Sequence, residues 1–143
     1  MNNSTRIQSD AKMKVQTHFK YPKVQRGSVI FPKRGAAIMT NKVRLLGFDG
    51  YMDTNMMALE PGNIDRHFLY VYLERTGLYK IADTSTLPQI NNKHINPYGI
   101  TIPNIEEQQK IGQLFDDIDN LITLHQREFL SCTSGAAMSA QSR

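Results

Sequence analysis

A long amphipathic helix near the carboxyl end of the chain constrains the fold most strongly. Asn104 and Glu107 have the spacing of a capping box, in which two side chains satisfy free backbone N–H groups at a helix start. Apolar residues then follow at steps of three and four, the spacing of a coiled-coil seam. We predict a helix over residues 104–130. Its pairing surface comprises Ile111, Leu114, Ile118, Leu121, Ile122 and His125.

An apolar stripe of this length needs something to cover it. The helix either packs on its own domain, which is the commoner arrangement, or pairs with a helix of another molecule. The rest of the sequence contains little other helix, and this favours a partner helix.

Residues 15–103 have the pattern of a mixed, β-rich domain with one internal helix. A turn at Gly27 precedes a β-branched and aromatic run that ends at Pro32. Asp65 is a suitable cap for a helix, and Gly77 is a suitable end for it. Further strand candidates cover residues 37–40, 42–48, 51–60 and 100–102. The predicted fold class is α+β, with a long coiled-coil-forming helix after the domain.

The two ends of the chain lack hydrophobic periodicity. Residues 1–14 are polar and are predicted to be flexible, and residues 131–143 are rich in small side chains and are predicted to be disordered. The amino terminus does not have the apolar segment of a secretory signal, and no apolar run approaches the ~20 residues that span a bilayer. Cys132 is the single cysteine. These features predict a cytoplasmic protein with no membrane association.

Charge is distributed unevenly along the chain. Residues 1–44 contain ten Lys or Arg and one acid, a net charge of +9, whereas residues 45–143 contain seven Lys or Arg and twelve acids, a net charge of −5. A basic first part favours a polyanionic partner such as nucleic acid. A merely solvated basic surface gives the same bias, because charge alone does not define a recognition site.

Two predicted loops carry side chains suited to DNA. The first group surrounds a predicted hairpin and can neutralise phosphates or bind guanine: Lys33, Arg34, Lys42 and Arg44. The second group combines amides, which can bind adenine, with one cation: Gln89, Asn91, Asn92 and Lys93. Any one of these residues alone is most simply a solvated loop side chain. The two groups together predict DNA binding.

Signals for catalysis are weak by comparison. Asn96-Pro97-Tyr98 resembles part of the tetrapeptide with which amino-methyltransferases hold a target base, but one proline is missing and a turn is the simpler interpretation. Asp49 and Asp53 lack the acid-x-lysine pairing of a nuclease metal site, and the four histidines show no ligand spacing. We predict no catalytic residue, no metal and no cofactor in this chain.

Two segments together resemble the DNA specificity subunits of type I restriction-modification systems. The strand Gly27-Ser28-Val29-Ile30-Phe31 resembles the family's Gly-Asp-Ile-Leu-Phe strand, with serine in place of the acid. Residues 102–111, with the order Ile-Pro, then Glu-Gln, then Ile, are similar to the junction that ends each recognition domain of the family. Residues 115–122 resemble the start of its spacer helix. The resemblance extends over residues 24–129.

This resemblance implies a target-recognition domain over residues 15–103, whose loops enter double-stranded DNA, and a spacer helix that pairs with a second one. It also implies a modification subunit that uses S-adenosylmethionine and, through it, a restriction subunit that uses ATP and Mg²⁺. Family members carry two recognition units, each reading half of a split target, whereas this sequence contains one.

Three interpretations stay open at this point. The chain is a half-subunit that forms a homodimer through its spacer helix, or a truncated interaction protein that occupies the subunit interface without reading DNA. A small nuclease is the third alternative, and it requires a metal site at Asp49 and Asp53.

Overall fold

The computed structural model describes residues 7–8 and 23–139, with side chains described for residues 23–129. The strands are β1 (Ile7–Gln8), β2 (Val29–Pro32), β3 (Arg44–Leu46) and β4 (Met56–Leu59). The helices are α1 (Arg66–Thr76), α2 (Asn92–Ile95) and α3 (Ile105–Ser139). Short 3-10 turns lie at Ala36–Ile38 and Leu78–Ile81. The fold is α+β with a long C-terminal helix, as the sequence predicts.

The four strands form one sheet in the order β1-β3-β2-β4. β2 runs antiparallel to both of its neighbours, with Val29 opposite Leu45 on one side and Leu59 on the other, and β1 pairs in parallel with β3. Every residue of β2 is buried, which is typical of a central strand covered on both faces. The strand predicted after Gly27 is therefore confirmed, and it lies in the middle of the sheet.

The hydrophobic core lies between the sheet and α1. Phe31 of the central strand, Leu73 of α1 and Ile90 of a later loop are all fully buried. Burial of a side chain of this size stabilises a fold by ~1.5–3 kcal/mol, so these contacts fix the sheet and the loop on α1. The buried cluster comprises Val29, Phe31, Ile38, Val43, Leu45, Leu69, Tyr70, Val71, Leu73, Leu78 and Ile90.

The ends of α1 are those predicted from the sequence. Asp65 Oδ1 accepts hydrogen bonds from the backbone N–H groups of His67 (3.0 Å) and Phe68 (2.9 Å). These bonds satisfy two of the four N–H groups that a helix leaves free at its start. At the other end, Gly77 has φ 78° and its N–H donates to Leu73 O at 3.2 Å. A residue with a side chain adopts such a positive φ with difficulty, and the helix ends there.

Several strand predictions were wrong or too long. Residues 37–40 do not form a strand, because the chain turns through the 3-10 segment and then through Asn41, which has φ 45°. The Asn41 side chain holds this turn on α1 by donating to Glu74 O at 2.6 Å. Of the predicted strands at 42–48 and 51–60, only the shorter β3 and β4 form. Residues 100–102, which were also predicted as a strand, are irregular. Pairing partners, which local patterns do not reveal, decide these lengths.

α3 is longer than the predicted helix. It begins at Ile105, beside the predicted cap, because Glu107 N–H donates to Asn104 Oδ1 at 2.9 Å. It continues to Ser139, so residues 131–139 are helical although they were predicted to be disordered. This segment contains one glycine and several good helix formers, and a single helical glycine costs only ~1 kcal/mol.

Within the range 1–14, Ile7–Gln8 form a strand that was not predicted and that pairs with Leu45 and Leu46 of β3. This pairing joins residues far apart in sequence, so the polar local composition could not reveal it. The other residues of that range, and residues 140–143, lie outside the described part of the chain. In the described part, no helix has both the length and the apolar character required to cross a membrane.

Candidate nucleic-acid interface

The two loops predicted to bind nucleic acid lie side by side. We call residues 33–43, between β2 and β3, the first loop, and residues 83–91 the second loop. Gly35 N–H of the first loop donates to Pro88 O of the second at 2.8 Å, and Ile90 N–H donates to Lys33 O at 2.9 Å. The Ile90 side chain is fully buried in the core. The two loops therefore form one surface that is attached to the domain.

The basic residues of the first loop do not all reach this surface. Arg34 is exposed, and Lys33 and Lys42 are half-buried. Arg44 is 7% exposed, pairs opposite Ile30 in the sheet, and donates from Nη1 to Val43 O at 2.8 Å. The structure thus leaves Arg44 out of the surface, because it is the first residue of β3 and not the last residue of the loop.

The four residues predicted around the second loop also differ in exposure. Gln89 and Asn91 are half-buried, and Asn91 Nδ2 donates to Gln89 Oε1 at 3.4 Å. Asn91 also precedes α2, and its N–H donates to His94 Nδ1 at 3.1 Å. Asn92 and Lys93 are exposed in the first turn of α2. The exposed pair is therefore available to a ligand, while Gln89 and Asn91 contribute to the local structure.

The tip of the second loop, residues 84–88, was not among the predicted site residues. Asp83 and Gln89 exchange two backbone hydrogen bonds of 2.9 Å, which close this five-residue tip. Ser85 N–H donates to Asp83 Oδ1 at 3.0 Å. This bond, followed by one from the Ser85 hydroxyl, lowers the pKa of the Asp83 carboxyl. The Asp-x-Ser spacing, which is typical of such a turn, is the signal in the sequence from which an ordered tip could have been predicted.

A polar junction joins the start of α3 to the start of α1. Gln108 is 3% exposed and both ends of its amide are paired. Its Oε1 accepts from Asp65 N–H at 2.9 Å, and its Nε2 donates to Pro103 O at 2.8 Å. A buried amide with both ends satisfied holds its neighbours in one geometry, because any shift leaves a polar group unpaired.

The next turns of α3 continue the same contact with α1. Asp116 Oδ2 lies 2.6 Å from His67 Nδ1, and the Arg75 guanidinium lies 5.5 Å from the centre of the Phe115 ring. Gly112 is buried between these contacts, with α1 passing directly over it. The docked face of α3 thus contains Gln108, Gly112 and Phe115 at helical spacing.

The predicted pairing surface lies on a different face of α3. Leu114, Ile118, Leu121 and Ile122 are 57%, 39%, 66% and 50% exposed. His125 is exposed as well, and Ile111 is half-buried at the edge of the domain. All residues from 120 to 129 are exposed, so the helix leaves the domain. α3 therefore packs on its own domain through its first turns, and the domain leaves Leu114, Ile118, Leu121 and Ile122 uncovered.

The acids considered for a metal site take part in turns. Asp49 accepts from Arg26 N–H at 2.8 Å and pairs with Lys23 Nζ at 3.1 Å. The backbone bond, followed by the lysine, lowers the pKa of this carboxyl. Asp53 Oδ1 accepts from Asn55 N–H at 2.7 Å. Among the described residues, no group of three or more His, Cys, Asp or Glu is arranged to hold a metal ion.

Comparisons with known proteins assign the family. No match is found among curated protein sequences. A solved chain described under "Structural basis underlying complex assembly and conformational transition of the type I R-M system" is similar, with a TM-score of 0.69 and 19% identity. The similarity covers 85% of this chain and 30% of that chain, and at this identity it establishes the fold alone. The family described as "Type I restriction modification DNA specificity domain" matches residues 1–129. The chain belongs to this family of DNA specificity domains.

Proposed function

We propose that this chain recognises DNA as a half specificity subunit of a type I restriction-modification system. In this role it directs methyltransferase and endonuclease subunits to a split target in the cytoplasm. The observation that carries the proposal is the pairing of the two loops, through Gly35 with Pro88 and Lys33 with Ile90, on a domain of the specificity family. The pairing brings the loop that carries Arg34 next to the loop that leads into Asn92 and Lys93 of α2.

Within this surface, we assign DNA contacts to the side chains that solvent reaches. Arg34 and Lys93 are exposed cations, which neutralise phosphates and can bind guanine, and Asn92 is an exposed amide suited to adenine. Lys33 and Lys42 are half-buried and add positive charge to the first loop. Arg44, Gln89 and Asn91 are not assigned a direct contact, because they are buried or hold the local structure.

The chemistry is assigned to partner subunits in this proposal. The chain itself contributes no catalytic residue, and S-adenosylmethionine, ATP and Mg²⁺ belong to the modification and restriction subunits. The chain spans less than a third of the solved chain that it resembles. One recognition unit and one spacer helix are therefore expected to act together with a second set.

We assign the second set to another copy of this chain. The stripe formed by Leu114, Ile118, Leu121 and Ile122 is exposed on a helix that leaves the domain. Two such helices bury each other's stripes when they pair, and a two-fold axis then relates the two recognition domains. A symmetric dimer reads a symmetric target, so the proposed target is an interrupted palindrome.

A second candidate function rests on the same stripe. A chain that occupies the subunit interface of a larger partner also covers Leu121 and its neighbours, and it does so without binding DNA. The two functions differ in one measurable property: a half-subunit retains a preferred DNA sequence, whereas an interface competitor co-purifies with a modification subunit and retains none.

Arg34→Ala tests the assignment of the DNA surface. Arg34 is exposed beside the second loop, so its loss should weaken DNA binding by ~1–3 kcal/mol if it contacts a base. A phosphate contact should instead lower the slope of log affinity against log salt by about one. The affinity and its dependence on salt are both measured by fluorescence anisotropy with labelled duplex DNA, over a series of salt concentrations.

Arg127→Ala is the matched control, because Arg127 is exposed on α3, away from the loops. It should leave both the affinity and the salt slope unchanged. Equal behaviour of Arg34→Ala and wild type at every salt concentration would contradict the assignment of Arg34 to the DNA surface.

A further inference from the structure

The tip of the second loop displays one apolar side chain among hydroxyl groups. Leu87 is 59% exposed, and Thr84, Ser85 and Thr86 precede it as exposed polar residues. A single exposed leucine on a protein surface is common and needs no function. The position of Leu87 is informative for a different reason, which is the construction of the loop that carries it.

The tip is held at both of its ends. The two backbone bonds between Asp83 and Gln89 close it, and the Ser85–Asp83 turn shapes its first half. Directly after Leu87, Pro88 O accepts the hydrogen bond from Gly35 N–H of the first loop. Ile90, three residues after Leu87, is fully buried. A side chain presented on such a preorganised loop loses little conformational freedom when it binds a ligand.

The surroundings of the tip define the ligand. Arg34 lies next to Gln89 across the two loops and can neutralise a phosphate. The hydroxyls of Thr84 and Thr86 can bind phosphate oxygens, and such contacts orient a protein on the duplex. An apolar side chain among phosphate-binding groups is suited to contact the apolar group of the major groove, the 5-methyl group of thymine.

Building on the proposed function, we infer that Leu87 determines sequence specificity by contacting the 5-methyl group of a thymine in the target. Contact with this methyl group removes exposed apolar surface of the leucine from water. Cytosine, adenine and guanine offer no methyl group at this place in the groove. Leu87 thus discriminates the base at one position of the target, while the neighbouring polar groups hold the loop on the DNA backbone.

The test compares thymine with uracil, which forms the same base pair and lacks the methyl group. The 143-residue chain is first used to select its preferred duplex from random-sequence DNA. Each thymine of that duplex is then replaced singly by uracil, and binding is measured at fixed salt. At one position uracil should weaken wild-type binding about fourfold, the effect of leaving about one methyl group uncovered. Leu87→Ala should bind the thymine and uracil duplexes equally at that position.

Two further variants make the result specific. Leu87→Met keeps an apolar side chain of similar volume and should keep the thymine preference. Leu124→Ala removes a leucine of similar exposure, 56%, from α3, and this variant should also keep the thymine preference. The inference is overturned if no thymine shows a uracil effect in the wild type, or if Leu87→Ala retains the full effect. Failure to select any sequence would overturn the proposed function, and this inference with it.

Discussion

At the scale of single residues, Gly112 sets how closely α3 approaches α1. A Cβ atom at this position would lie 2.8 Å from His67 Cβ, 3.0 Å from Asp65 Oδ1 and 3.2 Å from the backbone nitrogen of Phe68. The last of these atoms belongs to the helix backbone and cannot move aside alone. Glycine costs helix stability by ~0.5–1 kcal/mol relative to alanine, and here the close contact between the helices offsets that cost.

We expect Gly112→Val to destabilise the fold by about 1–3 kcal/mol, because the added atoms overpack the junction. Urea unfolding followed by circular dichroism measures this as a lower midpoint. Gly99→Val is the matched control, since Gly99 has open space where its Cβ would be, and it should change stability by less than about 0.5 kcal/mol. Equal midpoints for the two variants would mean that α3 does not dock on α1 in this way.

The residue scale also shows what a sequence pattern does not reveal. Arg34 and Arg44 are residues of the same type at the two ends of one loop, and both were predicted to bind DNA. Arg34 lies beyond the end of β2 and is exposed, whereas Arg44 pairs with Ile30 inside the sheet and is 7% exposed. Strand register decides between the two outcomes, and register depends on partners elsewhere in the chain.

At the scale of elements, features with local causes were predicted correctly. Asp65 and Gly77 delimit α1 because a cap and a left-handed glycine act within one turn of the helix. β1 was missed, since its partner β3 lies more than thirty residues away. The contact between the two loops was not predicted either, because it depends on backbone atoms at Gly35 and Pro88, whose side chains carry no signal for it.

The exposed stripe of α3 gives a prediction at the same scale. Leu121→Glu places a charge in the centre of the proposed helix pair, where burying it without a partner is costly. We expect the variant to be monomeric at concentrations where the wild type is dimeric, as measured by light scattering of the purified chain. Circular dichroism should show an unchanged fold, because residue 121 lies beyond the docked part of α3.

Asn120→Glu introduces the same charge at the adjacent exposed position, which is on another face of the helix. It should leave the dimer intact. A wild-type chain that stays monomeric at all concentrations, alone and with a modification subunit, would contradict the pairing of two copies.

At the scale of the whole molecule, the loops and the stripe are held in a fixed relation. Ile90 attaches the second loop to the core, α1 packs on the same core, and the Gln108 junction fixes α3 on α1. A rotation of α3 would break the paired amide of Gln108. In the proposed dimer, we expect this path to set the distance between the two proposed DNA surfaces, and therefore the separation of the two half-sites in the proposed target.

The measurement that tests the central claim most directly is selection from random-sequence duplex DNA by the 143-residue chain together with a modification subunit. We predict enrichment of one interrupted sequence whose halves are related by two-fold symmetry, and weaker retention of that sequence by the Arg34→Ala variant. The contradicting result is a complex that contains both the chain and the modification subunit but enriches no DNA sequence. It would argue against DNA recognition by this chain and would favour the second candidate function, occupation of the subunit interface.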